Sequence, residues 1–218
     1  LLFITGDIID NAINTTEGVL SGDEEHWLKE VKIYKSLIEQ FSFTKFLHTY
    51  GPGHDFGDLQ RVEKELGDRK GVYKWRSYDL IWVTVKKSTF ANASVTYSDS
   101  LAHSDDYKWI ENQLKHSGKA IILFHVPIRT DVTYKQGKWS NNRNLTIDPR
   151  DSLYNVIDIY SHKISAIFNG HIHQPIRSDY NGIPIYICPF FNSGCHCILQ
   201  DNEGSLIVDF VGCSKIIK

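Results

Sequence analysis

The sequence predicts an α/β fold, in which short apolar strands alternate with helical segments. Three observations carry that reading. Apolar runs of strand length stop abruptly at chemistry-bearing residues: Leu1–Thr5 before Gly6-Asp7-Ile8-Ile9-Asp10, Ala120–Phe124 before His125, and Ile164–Phe168 before Gly170-His171-Ile172-His173. Stretches with helical periodicity separate these runs, as strand–helix–strand units require. Loops at the carboxyl ends of strands in such sheets converge on the ligand crevice, and Asp7, His54, His125 and His171 all follow strands closely.

The elements follow in order. Leu1–Thr5 reads as a buried strand. Glu24–Phe41 is a helix, with Trp27, Leu28, Val31, Tyr34, Leu37, Ile38 and Phe41 at helical spacing and Ser21 or Asp23 available as cap. Lys45–Tyr50 is a strand leading into Gly51-Pro52-Gly53, and Asp58–Leu66 a short helix ending at Gly67. Val72–Trp75 and Asp79–Val85 are strands rich in β-branched and aromatic residues. Ser104 caps a helix to His116, Asp105 and Asp106 suit its positive end, and Gly118 is expected to stop it. Arg129–Pro149, rich in polar residues, reads as a long loop of the kind that is functional or mobile. Ser152–Ser161 is a helix, and short strands follow with turns at Tyr180-Asn181-Gly182 and Asp201-Asn202-Glu203-Gly204.

The bulk properties bound the function. The 218 residues suit one globular domain, and a formal net charge of −2 gives no broad attraction to nucleic acid or acidic membranes. No apolar run is long enough to span a bilayer. The chain opens directly on a strand and contains no Met, so the expectation is a piece of a longer protein with its N-terminus removed. Asn14, Asn92 and Asn144 head N-x-[ST] sequons, which favour the secretory pathway or the ER lumen over the cytoplasm, with room for a membrane anchor outside the segment. Cys195-His196-Cys197 has the look of half a metal site but lacks a second close pair. Alternation puts both sulfurs on one strand face, as buried thiols or a disulfide.

Hard carboxylate oxygen and neutral imidazole together suit divalent cations. Asp7 reads as a ligand bridging two cations, with Gly6 allowing a sharp turn beneath it and Asp10 fixing a ligand from behind. Gly-Asp-x-x-Asp is equally a turn capping the next segment. His171 and His173, two residues apart in an extended segment, would point the same way toward one metal cluster. His125 alone would read as a core histidine, and its place after an apolar strand and before Pro127 makes it a ligand. His54, with Asp55 adjacent to orient it, is the candidate acid for a leaving oxygen; a turn histidine is the plain alternative. Arg129 could contact a phosphate or be a solvated loop charge.

In this order the residues resemble the calcineurin-like metallophosphoesterase superfamily, whose blocks run Asp-x-His, Gly-Asp-x-x-Asp, Gly-Asn-His-Asp/Glu, a lone His, and Gly-His-x-His. Gly6–Asp10 matches the second block, Pro52-Gly53-His54-Asp55 stands at the third, His125 at the fourth and Gly170–His173 at the fifth. The resemblance implies a four-layer α-β-β-α sandwich over residues 1–218, its N-terminal strand lacking the first motif. It implies two divalent metal ions (Mn, Fe or Zn), with Asp7 bridging, His125 and His171 on one, His173 on the other, and His54 assisting the leaving group. The implied reaction is hydrolysis of a phosphate ester, a phosphodiester above all, by a metal-bridging hydroxide. Two departures stand out: the Asp-x-His block is absent, and Gly53 replaces the ligand Asn. Asp23-Glu24-Glu25-His26-Trp27, and His54-Asp55-Phe56-Gly57 followed by Arg61-Val62-Glu63-Lys64, are similar to the branch that removes ethanolamine-phosphate from GPI-anchor glycans. The competing expectation is a catalytically degenerate scaffold or binding module on the same fold, resting on Gly53 and the missing block. A nuclease is disfavoured by the lack of basic clusters, so no nucleic-acid partner is expected.

Overall fold

The computed structural model describes residues 1–5, 24–41, 45–50, 59–84, 104–138, 145–147, 149, 151–189 and 193–218. In chain order the elements are β1 (Leu2–Thr5), α1 (Glu24–Glu39), β2 (Phe46–Thr49), α2 (Leu59–Leu66), β3 (Lys70–Trp75), β4 (Tyr78–Val83), α3 (Ser104–His116) and β5 (Ala120–Leu123). Then come α4 (Asp131–Gln136), α5 (Ser152–Ile159), a 3-10 turn at Ser161–Lys163, β6 (Ile164–Asn169), β7 (Ile176–Tyr180), β8 (Ile183–Ile187), β9 (His196–Asn202) and β10 (Ser205–Val211).

Six strands form one mixed sheet in the order β3-β4-β5-β6-β8-β7. Its centre, β4-β5-β6-β8, is parallel, and antiparallel hairpins close both edges. Strands buried on both faces read as continuous apolar runs, which is why Ala120-Ile121-Ile122-Leu123 carries no polar alternation. Side chains still alternate between faces. Ile81, Val83, Ile122, Phe124 and Ile167 pack on one side with Ile110 and Leu114 of α3 and Leu153, Val156 and Ile157 of α5. Leu80, Trp82, Ile121, Leu123 and Phe168 face the other side, against Phe3 of β1, Leu47 of β2 and the inward residues Cys197, Leu199, Leu206, Val208 and Phe210 of the β9–β10 hairpin. β1 and β2 pair in parallel, and Trp27 and Val31 of α1 pack with Tyr50 and Leu66.

Several expectations change. Arg129–Pro149 is not a plain loop, because it contains α4. There Thr130 Oγ1 accepts from the Thr133 backbone N–H, and Thr133 Oγ1 accepts from the Thr130 N–H. This reciprocal cap holds a helix too short to show apolar periodicity. Helix α3 ends at His116, two residues before Gly118. Lys163 Nζ donates to the Leu114 and Lys115 carbonyls, which have no partner within the helix. The two hairpin turns fall where expected, with Asn181 and Gly182, and Glu203 and Gly204, all at positive φ. Cys195 and Cys197 do not share a strand face. Cys195 precedes β9 and forms a disulfide with Cys213, whereas Cys197 points to Cys188.

Candidate functional site

The carboxyl ends of β1, β5 and β6 meet through three backbone and side-chain contacts. His125, at the end of β5, is 3% exposed. Its Nδ1 lies 2.6 Å from the carbonyl oxygen of Thr5, the last residue of β1. A carbonyl only accepts, so Nδ1 carries the hydrogen and the neutral ring keeps its lone pair on Nε2. That Nε2 lies 3.0 Å from Nδ1 of His171, which follows β6. The His125 carbonyl in turn accepts from the Gly170 N–H at 2.9 Å.

Two residues position this pair: Asn169, which carried no signal of its own beside the motif, and Gly170, whose close backbone approach the motif predicts. Asn169, fully buried, donates from Nδ2 to the Phe124 carbonyl at 2.9 Å and so fastens the end of β5 to the end of β6. Gly170 permits the close approach: a Cβ there would lie 2.6 Å from the Thr5 carbonyl oxygen and 3.2 Å from His125 Nδ1. The buried Tyr154 hydroxyl accepts from the Arg129 N–H and donates to the Ile147 carbonyl, and burial pushes that phenol well above its ordinary range.

His171 and His173 do not follow extended alternation. Both are left-handed, at φ 67° and 60°, with Ile172 buried between them, and His173 is exposed. Arg129 is neither a free loop charge nor open to a ligand on all sides, because its Nε donates to Thr146 Oγ1 and its guanidinium lies over the Tyr134 ring. The end of β2 belongs to the same edge of the molecule, since the Tyr50 N–H donates to Oγ1 of Thr84, the residue after β4. His48 on β2 is held neutral by burial, which pushes its pKa down to about 4, and its Nδ1 is hydrogen-bonded to the Tyr34 hydroxyl.

Of the sequence-predicted site residues, the structure brings His125 and His171 together. Asp7, Asp10, His54 and Asp55 lie outside the described residues, as do Gly53 and the sequon residues Asn14, Asn92 and Asn144. Among the described residues no group of three or more His, Cys, Asp or Glu side chains forms a metal cluster. The described pair nevertheless fits a cation. A ligand histidine normally fixes its tautomer by donating the other ring N–H to a carbonyl or carboxylate, as His125 does. Two nitrogens on neighbouring positions of one cation, at about 2.1 Å each, stand about 3.0–3.4 Å apart, which matches the separation seen.

No family model matches the chain, and no curated protein does. Solved structures do. The fold is similar to that of a dimetal phosphatase and a hydrolase. A dimetal phosphatase from Danio rerio aligns with TM-score 0.54 and 11% identity over 86% of this chain and 71% of that one. The phosphopantetheinyl hydrolase PptH from Mycobacterium tuberculosis aligns with TM-score 0.50 and 12% identity, over 87% of this chain and 79% of that one. GAP50, the anchor in the inner membrane complex of Plasmodium, aligns with TM-score 0.50 and 12% identity over 79% of this chain, which spans 63% of that structure. Such identities speak for fold alone. No helix among the described residues is long and apolar enough to cross a membrane.

Proposed function

We propose that this chain carries the site of a metal-dependent phosphodiesterase, in a single domain of four-layer α-β-β-α architecture. The observation that supports it most is the His125 ring, which the Thr5 carbonyl locks with Nε2 facing His171. Thr5 stands two residues before Asp7 in the sequence, so the strand that orients His125 is also the one that delivers the proposed bridging carboxylate. Asp7, His125, His171 and His173 would hold two divalent cations, with Asp10 and Asp55 orienting ligands. When bound, such cations polarise a phosphoryl oxygen and lower the pKa of water. His54 would give a proton to the departing oxygen. The segments similar to the GPI-glycan branch make a GPI ethanolamine-phosphate linkage the specific ester to try, and the sequons support a lumenal setting.

A second reading, a non-catalytic scaffold on the same fold, is favoured by Gly53 in place of the Asn ligand. The experiment that separates them is hydrolysis of an aryl phosphodiester by the full-length parent with added Mn²⁺, beside Asp7→Asn and Gly53→Asn. Activity abolished by Asp7→Asn and raised by Gly53→Asn is expected. No turnover in either the parent or Gly53→Asn, with no Mn²⁺ bound in a direct titration, rejects the enzyme in favour of the scaffold.

A further inference from the structure

The four cysteines fall within 26 residues, Cys188 to Cys213, and the Cys195–Cys213 disulfide accounts for two. The other two are neighbours of a different kind. Cys188, just past β8, and Cys197, in β9, bring their Sγ atoms to 3.4 Å, and both are half-buried in the apolar layer between the large sheet and the hairpin. A disulfide needs about 2.05 Å, so a shift of roughly 1.4 Å, divided between two side chains, closes the gap. The geometry points to a second disulfide, Cys188–Cys197, that ties the β9–β10 hairpin to the strand end beside Gly170-His171.

The link has a mechanical consequence. The Cys188 N–H donates to the Asn169 carbonyl at 2.9 Å, and Asn169 fastens β5 to β6. Closing the bond joins the hairpin covalently to that junction. The oxidant required is a small disulfide such as glutathione disulfide. One thiolate attacks it and releases one glutathione thiolate, leaving a mixed disulfide. The second cysteine thiolate then displaces the other glutathione. Two protein thiols are oxidised, one glutathione disulfide is reduced to two glutathiones, and the two cysteine protons end on the released thiolates. The hydrogen shared with Cys188, together with burial, pushes the Cys197 thiol up, so exchange accelerates as pH rises. Two such links belong to an oxidising compartment.

No Lys or Arg lies between Arg177 and Lys215, so trypsin leaves all four cysteines on one peptide and variants must separate the pairs. The purified protein, equilibrated with glutathione disulfide, is denatured, treated with a maleimide and weighed intact. About 2 Da is lost for each disulfide closed. Relative to the reduced, unlabelled chain, the expected results are a loss of about 4 Da with no adduct in the wild type, a loss of about 2 Da beside one maleimide or glutathione adduct in Cys188→Ser, and a loss of about 2 Da with no adduct in Cys195→Ser/Cys213→Ser. In that double variant, oxidation should also raise Tm by about 5–10 °C, reversibly on reduction. Two maleimide-labelled thiols in the oxidised wild type would overturn the assignment even if the double variant does not fold. So would a wild type that loses 4 Da beside a folded double variant that loses none.

Discussion

Replacing Gly170 with Ala tests the assembly of the site at its tightest point. The new Cβ would lie 2.6 Å from the Thr5 carbonyl oxygen, where ordinary contact begins near 3.4 Å, so backbone must give by about 0.8 Å. The atom displaced is the one that accepts from His125 Nδ1. Overpacking a filled interior costs about 1–3 kcal/mol. Losing the imidazole hydrogen bond adds about 1 kcal/mol. The sum, about 2–4 kcal/mol, lowers Tm by about 5–15 °C in a chain of this size. Thermal unfolding followed by circular dichroism is the assay, with Gly118→Ala as control because a Cβ there meets nothing within 4 Å. Gly118→Ala should be neutral or slightly stabilising. A Gly170→Ala protein melting within a degree of wild type would refute the claim that β1, His125 and the Gly170 turn are packed without slack.

Two further perturbations probe the frame around the site. The folded pKa of His48 is about 4 against an ordinary 6.5, so its contribution is complete above about pH 6.5 and is lost as pH falls from there toward 4. The loss amounts to about 3 kcal/mol. Urea midpoints from pH 7 to 4 should therefore fall more steeply for wild type than for His48→Gln, and parallel slopes would reject the assignment. Asp106, 2% exposed, is paired with Arg69 Nη1 at 2.9 Å and Lys70 Nζ at 3.4 Å. Arg69→Met should cost about 3 kcal/mol, the low end for a broken buried pair because Lys70 remains. Arg69→Met/Asp106→Leu should recover most of that in equilibrium unfolding, and a single variant within 1 kcal/mol of wild type would count against the pair.

Legibility followed the physics of each element. Helix α3 was readable because its apolar face and its length agree. The centre of the sheet was readable because β5 and β6 are apolar runs ended by a polar residue. Helix α4 was missed because six residues carry no period, and its evidence was a Thr-x-x-Thr pair that also occurs in loops. At the site, composition and order picked out His125 and His171, but their orientation comes from a carbonyl 120 residues away in sequence, which no local pattern encodes. The assumed alternation of His171 and His173 failed because the chain turns immediately after β6. The opposite fates of Cys195 and Cys197 follow from a strand that begins between them.

The left-handed histidines bear on how such a site persists. An L-residue in that conformation costs on the order of 1 kcal/mol, which glycine or asparagine largely avoids. His171→Gly and His173→Gly would therefore relax the backbone even as they remove imidazoles. In a chain kept only for its shape, drift would run toward those replacements, since stabilising changes free of functional cost are easily fixed. Two histidines retained uphill of an available relief are what the proposed metal site calls for and a scaffold does not.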